Sequence, residues 1–205
     1  MLVFGAAAVA AVPPRVRRGV AAGEEAIVRG RDWVSESSAY VAAPAPADAW
    51  RTEAAQQGGV GTQRLVEVAE LLPSPEVAQA LRLGAGATVV VRRRVMLLDG
   101  RPVELTDSYY PSSLARGTGL ARREKIRGGA VGLLAELGHR PYQAVEDVLA
   151  RRPTNEERSA LDLAADEWVL VLRRLSTTED DVPVEYSVMT MTAEGRHLRY
   201  ELPIS

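Results

Sequence analysis

Apolar and polar residues change their period several times along the chain, and each change predicts an element. In TQRLVEVAEL (residues 62–71), Leu65, Glu67 and Ala69 alternate with Val66 and Val68, the two-residue period of a strand. PSPEVAQALRLG follows. Ser74 suits an N-cap, Pro75 the first helical position and Gly84 the end, so a short helix is predicted. ATVVVRRRVML is rich in β-branched residues and reads as a strand. DG is a hairpin turn signal, and RPVELTDSYY is the return strand. PSSLARGTGLARREKIRGG shows no clean period and reads as an irregular connection with one helical turn. AVGLLAELG is a short helix closed by Gly138. QAVEDVLARRP is a strand, and Thr154 with Glu157 forms a capping box that opens another helix. EWVLVLRRLSTT and PVEYSVMTM make a second hairpin, and HLRYELPI a last strand. The order β-α-β-β-α-β-α-β-β-β, joined largely by hairpins, predicts an α+β fold with an antiparallel sheet and helices packed on one side. No Gly-rich turn follows a strand and opens a helix, which argues against a dinucleotide-binding fold.

The two hairpins echo each other. RRRVMLLDGRPVE (residues 92–104) and RRLSTTEDDVPVE (residues 173–185) both run from arginines through a polar turn to Pro-Val-Glu. A two-residue Asp99-Gly100 turn would pair Arg94 with Leu105 and mix charged with apolar residues on each face. A three-residue loop, Asp99-Gly100-Arg101, puts Val95 opposite Leu105, Leu97 opposite Val103, Arg94 opposite Thr106 and Arg92 opposite Ser108. Only that register segregates the apolar side chains, so the three-residue loop is expected, with Gly100 or Arg101 left-handed. One face then packs on the core. The other displays Arg92, Arg94, Met96, Glu104, Thr106, Ser108 and Tyr110, arginines beside hydroxyls and an acid. Such a face suits a small anion, because a guanidinium fork matches a carboxylate or phosphate. A solvated sheet face is the plain alternative. The second copy has a longer loop, which leaves its faces open; Arg173 opposite Glu185 would aim that glutamate onto the ligand face.

Composition narrows the chemistry. The chain of 205 residues has no cysteine, so disulfides, thiol nucleophiles and cysteine-bound metal are excluded. Two histidines far apart, His139 and His197, make a metal site unexpected. A net charge of −2 gives no global attraction to nucleic acid or anionic membrane. The apolar run LVFGAAAVAAV near the start is shorter than the ~20 residues that span a bilayer, and it lacks the basic flank of a signal peptide. Residues 1–30 are expected to be irregular, 31–60 a linker or arm pinned by Trp33, Tyr40 and Trp50, and 61–205 the globular domain.

Taken in order, GTQRLVEVAELLPSPEVAQALRL, RRRVMLLDGRPVELTDSYYP, AVGLLAELG and RRLSTTEDDVPVEYSVM resemble the UTRA domain, the effector-binding domain of HutC-type GntR transcription regulators. AYVAAPAPADAWRTEAAQQGGVGTQ and KIRGGAVGLLAELG resemble its actinobacterial branch. The resemblance runs from about Tyr40 to Ile204. It implies a chorismate-lyase-like fold, a ligand cleft over the sheet, a homodimer, a cytoplasmic location and no cofactor. It also implies an upstream winged helix-turn-helix. Residues 1–60 show no such pattern, so DNA would be reached only through a domain not present in this chain.

The family's effector contacts fall on Arg94 in the first hairpin and Glu185 in the second. Where relatives often carry a second arginine stands Met96, and where they often carry a glutamate stands Thr106, with Ser108 following. The serine and tyrosine that hold phosphate in phosphosugar-binding relatives are replaced by Gly129 and Val131. The ligand-binding residues expected on these grounds are Arg94, Glu185, Thr106, Ser108, Arg92, Tyr110, Met96 and Gly129. The effector expected is a small molecule less charged than a phosphosugar, with a carboxylate favoured for Arg94. A chorismate-lyase-like enzyme and a ligand-free dimerisation module are the competing functions.

Overall fold

The computed structural model describes residues 33–36 and 49–201. In chain order the elements are β1 (Trp33–Glu36), α1 (Ala49–Gln56), β2 (Gly61–Leu71), α2 (Pro75–Ala80), β3 (Val89–Leu98) and β4 (Arg101–Pro111). Then come α3 (Ser112–Ala115), a 3-10 turn (Gly119–Ala121), α4 (Gly129–Glu136), β5 (Gln143–Arg151) and α5 (Asn155–Ala160). The chain continues through β6 (Val169–Thr177), β7 (Pro183–Thr192) and β8 (Arg196–Arg199). Six strands form one antiparallel sheet in the order β2-β3-β4-β7-β6-β5. The α+β class and the antiparallel sheet are as expected.

The sheet is built twice. β2-α2-β3-β4 and β5-α5-β6-β7 occupy mirrored places in the strand order, and β4 and β7 meet at the centre. Each half opens its helix with a hydroxyl cap: Ser74 Oγ accepts from Val77 N, and Thr154 Oγ1 from Glu157 N. Each helix seats one buried leucine, Leu81 or Leu161, and the next residue, Arg82 or Asp162, turns left-handed at φ 51° or 53°. These leucines pack with Val89 and Tyr186 in one half and with Val169 and Val171 in the other, so α2 and α5 cover one face of the sheet. The connection between β4 and β5 folds over the other face. There Leu120 and Leu134 join Val90 and Tyr110 in a buried cluster.

The first hairpin turns differently from expectation. Asp99 (φ 50°) and Gly100 (φ 81°) are both left-handed, the signature of a two-residue type I′ turn, and Leu98 pairs with Arg101. The expected register nevertheless holds from Met96 outward: Val95 faces Leu105, Arg94 faces Thr106 and Arg92 faces Ser108. A bulge reconciles the two, because Leu97 faces Pro102 while Met96 faces Glu104, leaving Val103 as the extra residue. The second hairpin does the same. Thr177 faces Pro183 and Ser176 faces Glu185, so Val184 is extra. In both copies Pro-Val-Glu is therefore a bulge. Arg173 faces Val188 and not Glu185; it lies on the helix-covered face, where its Nε is 3.2 Å from Glu76.

The segment expected as an arm carries β1 and α1. β1 pairs in parallel with β8, and the Gln57 amide closes on both polar groups of Val34. The rings of Trp33 and Trp50 lie 5.3 Å apart, and the Trp33 indole donates to the buried Glu53 carboxylate. Gly61 is required where it passes this cluster, since a Cβ there would lie under 3.0 Å from Trp50 and Ala54. Tyr40 and the segment 1–30 lie outside the described residues.

Glu157 ties α5 down twice, through its capping box and through paired hydrogen bonds from Arg151. The Arg151 bonds lead in holding its carboxyl below the ordinary value of 4.5. Its contribution to stability is thus complete above pH 4.5 and is lost as the pH falls through the lower folded-state value. Glu157→Ala is expected to cost about 1–2 kcal/mol at pH 7, chiefly from the lost cap. Urea melts should show that difference shrink in acid.

Candidate functional site

Side chains alternate across the strands, so the register fixes which of them share the face beneath the connection. Arg94 on β3, Thr106 and Ser108 on β4, Glu185 and Ser187 on β7, and Arg174 on β6 all do. A cavity of about 170 Å³ lies above them. Lys125, Ile126 and the first turn of α4, Gly129 to Val131, line it from the connection; Trp50 of α1 and Leu198 of β8 line another side. Met96, Met189 and Met191 supply apolar surface. A smaller cavity of about 110 Å³ adjoins it and includes Leu65, Arg92, Arg94 and Tyr110 in its lining.

The polar floor is a single relay. Arg94 Nη2 donates to Ser108 Oγ at 2.9 Å. The Ser108 and Ser187 hydroxyls are 2.8 Å apart, and Ser187 donates to Glu185 Oε1 at 2.8 Å. Tyr110 donates to the same oxygen at 2.9 Å. Because Ser187 gives its proton to Glu185, Ser108 must donate to Ser187 and accept from Arg94. Every proton then points from guanidinium to carboxylate, an arrangement in which each bond polarises the next. Tyr110 is 1% exposed, and burial, reinforced by the Glu185 charge, pushes its hydroxyl far above the ordinary tyrosine value. It is a fixed donor.

Arg94 itself is incompletely used. Its Nε is buried and has no hydrogen-bond partner. A buried unsatisfied donor costs about 1–3 kcal/mol. Among the described residues it forms no ion pair; Glu104, the neighbour able to neutralise it, takes the Thr106 hydroxyl at 2.7 Å instead. Arg174, its counterpart in the second half, is paired: Nε donates to Glu146, and the two side chains are 11% and 9% exposed.

The structure separates the two arginines expected to work together. Arg92 is 4% exposed and gives its guanidinium to the connection, donating to the carbonyls of Leu120 (2.9 Å), Arg122 (2.7 Å) and Glu124 (2.7 Å), with Gly119 at 3.4 Å. It holds the cavity's roof. Met96, Thr106, Gly129, Arg94 and Glu185 line the main cavity, Ser108 lies in its floor, and Arg92 and Tyr110 line the adjoining one. Arg174, Ser187, Lys125 and Trp50 also reach the cavity and were not among the residues expected there. The second Pro-Val-Glu was the available signal for Arg174 and Ser187. Read as a bulge, it places both on the face of Glu185.

The sequence matches the UTRA domain over residues 56–195. The chain belongs to the UTRA domain family. This UTRA domain is 33% identical over 124 residues to an uncharacterised HTH-type transcriptional regulator of Streptomyces coelicolor, covering 59% of this chain and 46% of that protein. A second such regulator, from Rhizobium meliloti, is 31% identical over 143 residues, 69% of this chain and 57% of its own length. The chain thus spans about half the length of the curated relatives it matches. Among solved structures it is similar to the ligand-binding domain of a GntR-family transcriptional regulator from Bordetella bronchiseptica, with a TM-score of 0.64 and 28% identity, covering 71% of this chain and 90% of that one. The effector domain of PhnF from Mycobacterium smegmatis shares the fold, with a TM-score of 0.65 at 22% identity over 76% of this chain and 94% of that one. Among the described residues no helix is long and apolar enough to cross a membrane, and no cluster of acidic residues and histidines is arranged to hold a metal.

Arg92→Met is expected to destabilise the UTRA domain by about 3 kcal/mol or more, since it removes several charge-assisted hydrogen bonds to buried carbonyls. Limited proteolysis should then cut first between residues 116 and 128, where the roof is released.

Proposed function

We propose that this UTRA domain is the effector-sensing, non-enzymatic part of a cytoplasmic GntR-type regulator of the HutC kind. It works as a homodimer and reaches DNA through a winged helix-turn-helix that the described residues do not contain. The sensing domain is read as residues 61–205, with 31–60 as its arm and 1–30 as a separate irregular segment.

One observation carries the reading. A cavity over the sheet holds a guanidinium that meets no counter-ion among the described residues and keeps a buried donor unsatisfied. A guanidinium with an unused buried donor at the wall of a cavity is chemically suited to an anion. A ligand-free dimerisation module would have no need of that cavity. The lining also favours a carboxylate over a phosphosugar, because Gly129 and Val131 offer no side-chain hydroxyl at the turn that opens α4.

A library of small carboxylates, neutral fragments and metabolites tests the reading by thermal shift and by NMR of methyl-labelled methionine. Met96, Met189 and Met191, three of the four methionines, line the cavity and report on it directly. Compounds that move these methyl signals are expected to carry a carboxylate. Arg94→Met should weaken them by about tenfold or more while the apo domain melts no lower, since the variant also removes an unsatisfied donor. No compound moving any of the three signals would sink the proposal.

A further inference from the structure

The internal duplication supplies a control for the cavity. Arg94 and Arg174 hold equivalent places, opposite Thr106 on β4 and Ser187 on β7. Their other neighbours differ. Across the strand pair on its outer side, Arg174 faces Glu146 on β5, and Arg94 faces Leu65 on β2. Glu146 receives the Arg174 Nε; the Arg94 Nε is buried with no partner. The same guanidinium on the same scaffold therefore carries its own carboxylate in one half and lacks it in the other. Leu65 is half-buried and lines the smaller cavity beside Arg94, so space lies where the second half has an acid.

The acids show the complementary gap. Glu104 and Glu185, the two glutamates that follow the bulges, both line the cavity. Glu104 has only the Thr106 hydroxyl, and Glu185 only those of Tyr110 and Ser187; neither meets a cation among the described residues. Glu185 is the better prepared of the two. Both of its hydroxyl donors converge on Oε1, leaving Oε2 without a hydrogen bond from the described residues, and the relay joins it to Arg94 through three hydrogen bonds of 2.9, 2.8 and 2.8 Å. A cavity with an uncompensated cation and an uncompensated anion, joined by neutral hydroxyls, is complementary to a molecule with both charges.

We infer that the effector is a small dipolar molecule whose carboxylate takes at Arg94 the place that Glu146 takes at Arg174, and whose ammonium group binds Glu185. This rests on the effector-cavity reading above and adds the ligand class to it. Leu65 is then the residue that keeps the anion subsite open, and the methionines receive whatever apolar part the ligand has.

The probes are ω-amino acids of graded length, from glycine to 6-aminohexanoate, each beside its matched alkanoate and alkylamine. Binding is read by the methionine methyl signals and by thermal shift. At one or two chain lengths the amino acid is expected to bind at least about tenfold more tightly than either single-charge analogue. Leu65→Glu, which writes the missing acid into the protein, should abolish the response to every carboxylate while the domain melts at or above the parent temperature. Glu185→Gln should make amino acid and alkanoate equal, and Glu104→Gln should not. Should Leu65→Glu fold poorly, the Glu185→Gln comparison decides alone. Alkanoates binding as well as amino acids, or Glu104→Gln abolishing the difference in place of Glu185→Gln, overturns the inference and leaves the cavity reading intact. The same holds if only neutral fragments move the methyl signals. If no compound moves them, both fall.

Discussion

One extra residue in each hairpin decides which side chains of this sheet reach the cavity. A strand alternates its side chains with a period of two, so a slip of one residue sends the whole set to the opposite face. The type I′ turn at Asp99-Gly100, taken alone, pairs Arg94 with Leu105 and puts charge into the core. The bulge at Val103 moves the pairing back by one, and the bulge at Val184 does the same for the longer second loop. Proline precedes each bulge, where its missing N–H disturbs the ladder least. Because both corrections have the same sense, both glutamates and both arginines arrive on the cavity face. The floor relay through Ser108 and Ser187 joins β4 to β7 at the seam between the halves, so it exists only if both registers hold.

The two halves share one architecture, and the differences between them shape the cavity. A symmetric cavity would hold two unpaired guanidiniums. Glu146 removes one of them by pairing with Arg174 in near-complete burial, where a broken pair would leave an uncompensated charge at a cost of several kcal/mol. Leu65 brings no acid to the other. The folded protein carries the penalty of a buried unpartnered Nε at Arg94, and such local costs persist where surrounding structure over-determines them. Here Ser108, itself fully buried and bonded on its far side, holds Nη2 and prevents the guanidinium from turning away to solvent.

Local signals in the sequence read well and long-range ones did not, for a physical reason. The Ser74 and Thr154 caps, the valine-rich β3 and the face of Arg94 follow from residues within one element or one hairpin. Val103 shows how the right face can be reached through the wrong turn: the need to segregate apolar side chains determined the register, and a longer loop was one of two ways to meet it. Arg92 and Arg94 are indistinguishable by alternation, since both stand on the same face of the same strand. What separates them is the aperiodic connection after β4, whose carbonyls from Leu120 to Glu124 need donors and find them in Arg92. No pattern in that segment announces it. Arg174 was hidden by loop length, and Trp50 by the low periodicity of the arm that carries it.

The cavity combines a rigid floor with soft walls, and the two properties divide the work of recognition. The Ser108 and Ser187 hydroxyls are each held at both ends, and Tyr110 is locked in the core, so these polar groups present one geometry at little further cost in entropy. Three methionines beside them are unbranched and adapt to different apolar shapes. Fixed charges and adaptable apolar walls therefore meet in one cavity. The roof is tied to the strand that carries Arg94. Arg92, which bonds the roof's carbonyls beside the buried Leu120 and Leu134 contacts, stands two residues along β3 from Arg94, so the side chain that helps position the roof and the one with the unpartnered Nε share one strand. A ligand that stabilises one arrangement of that strand and roof over another shifts the domain by its differential affinity and no more.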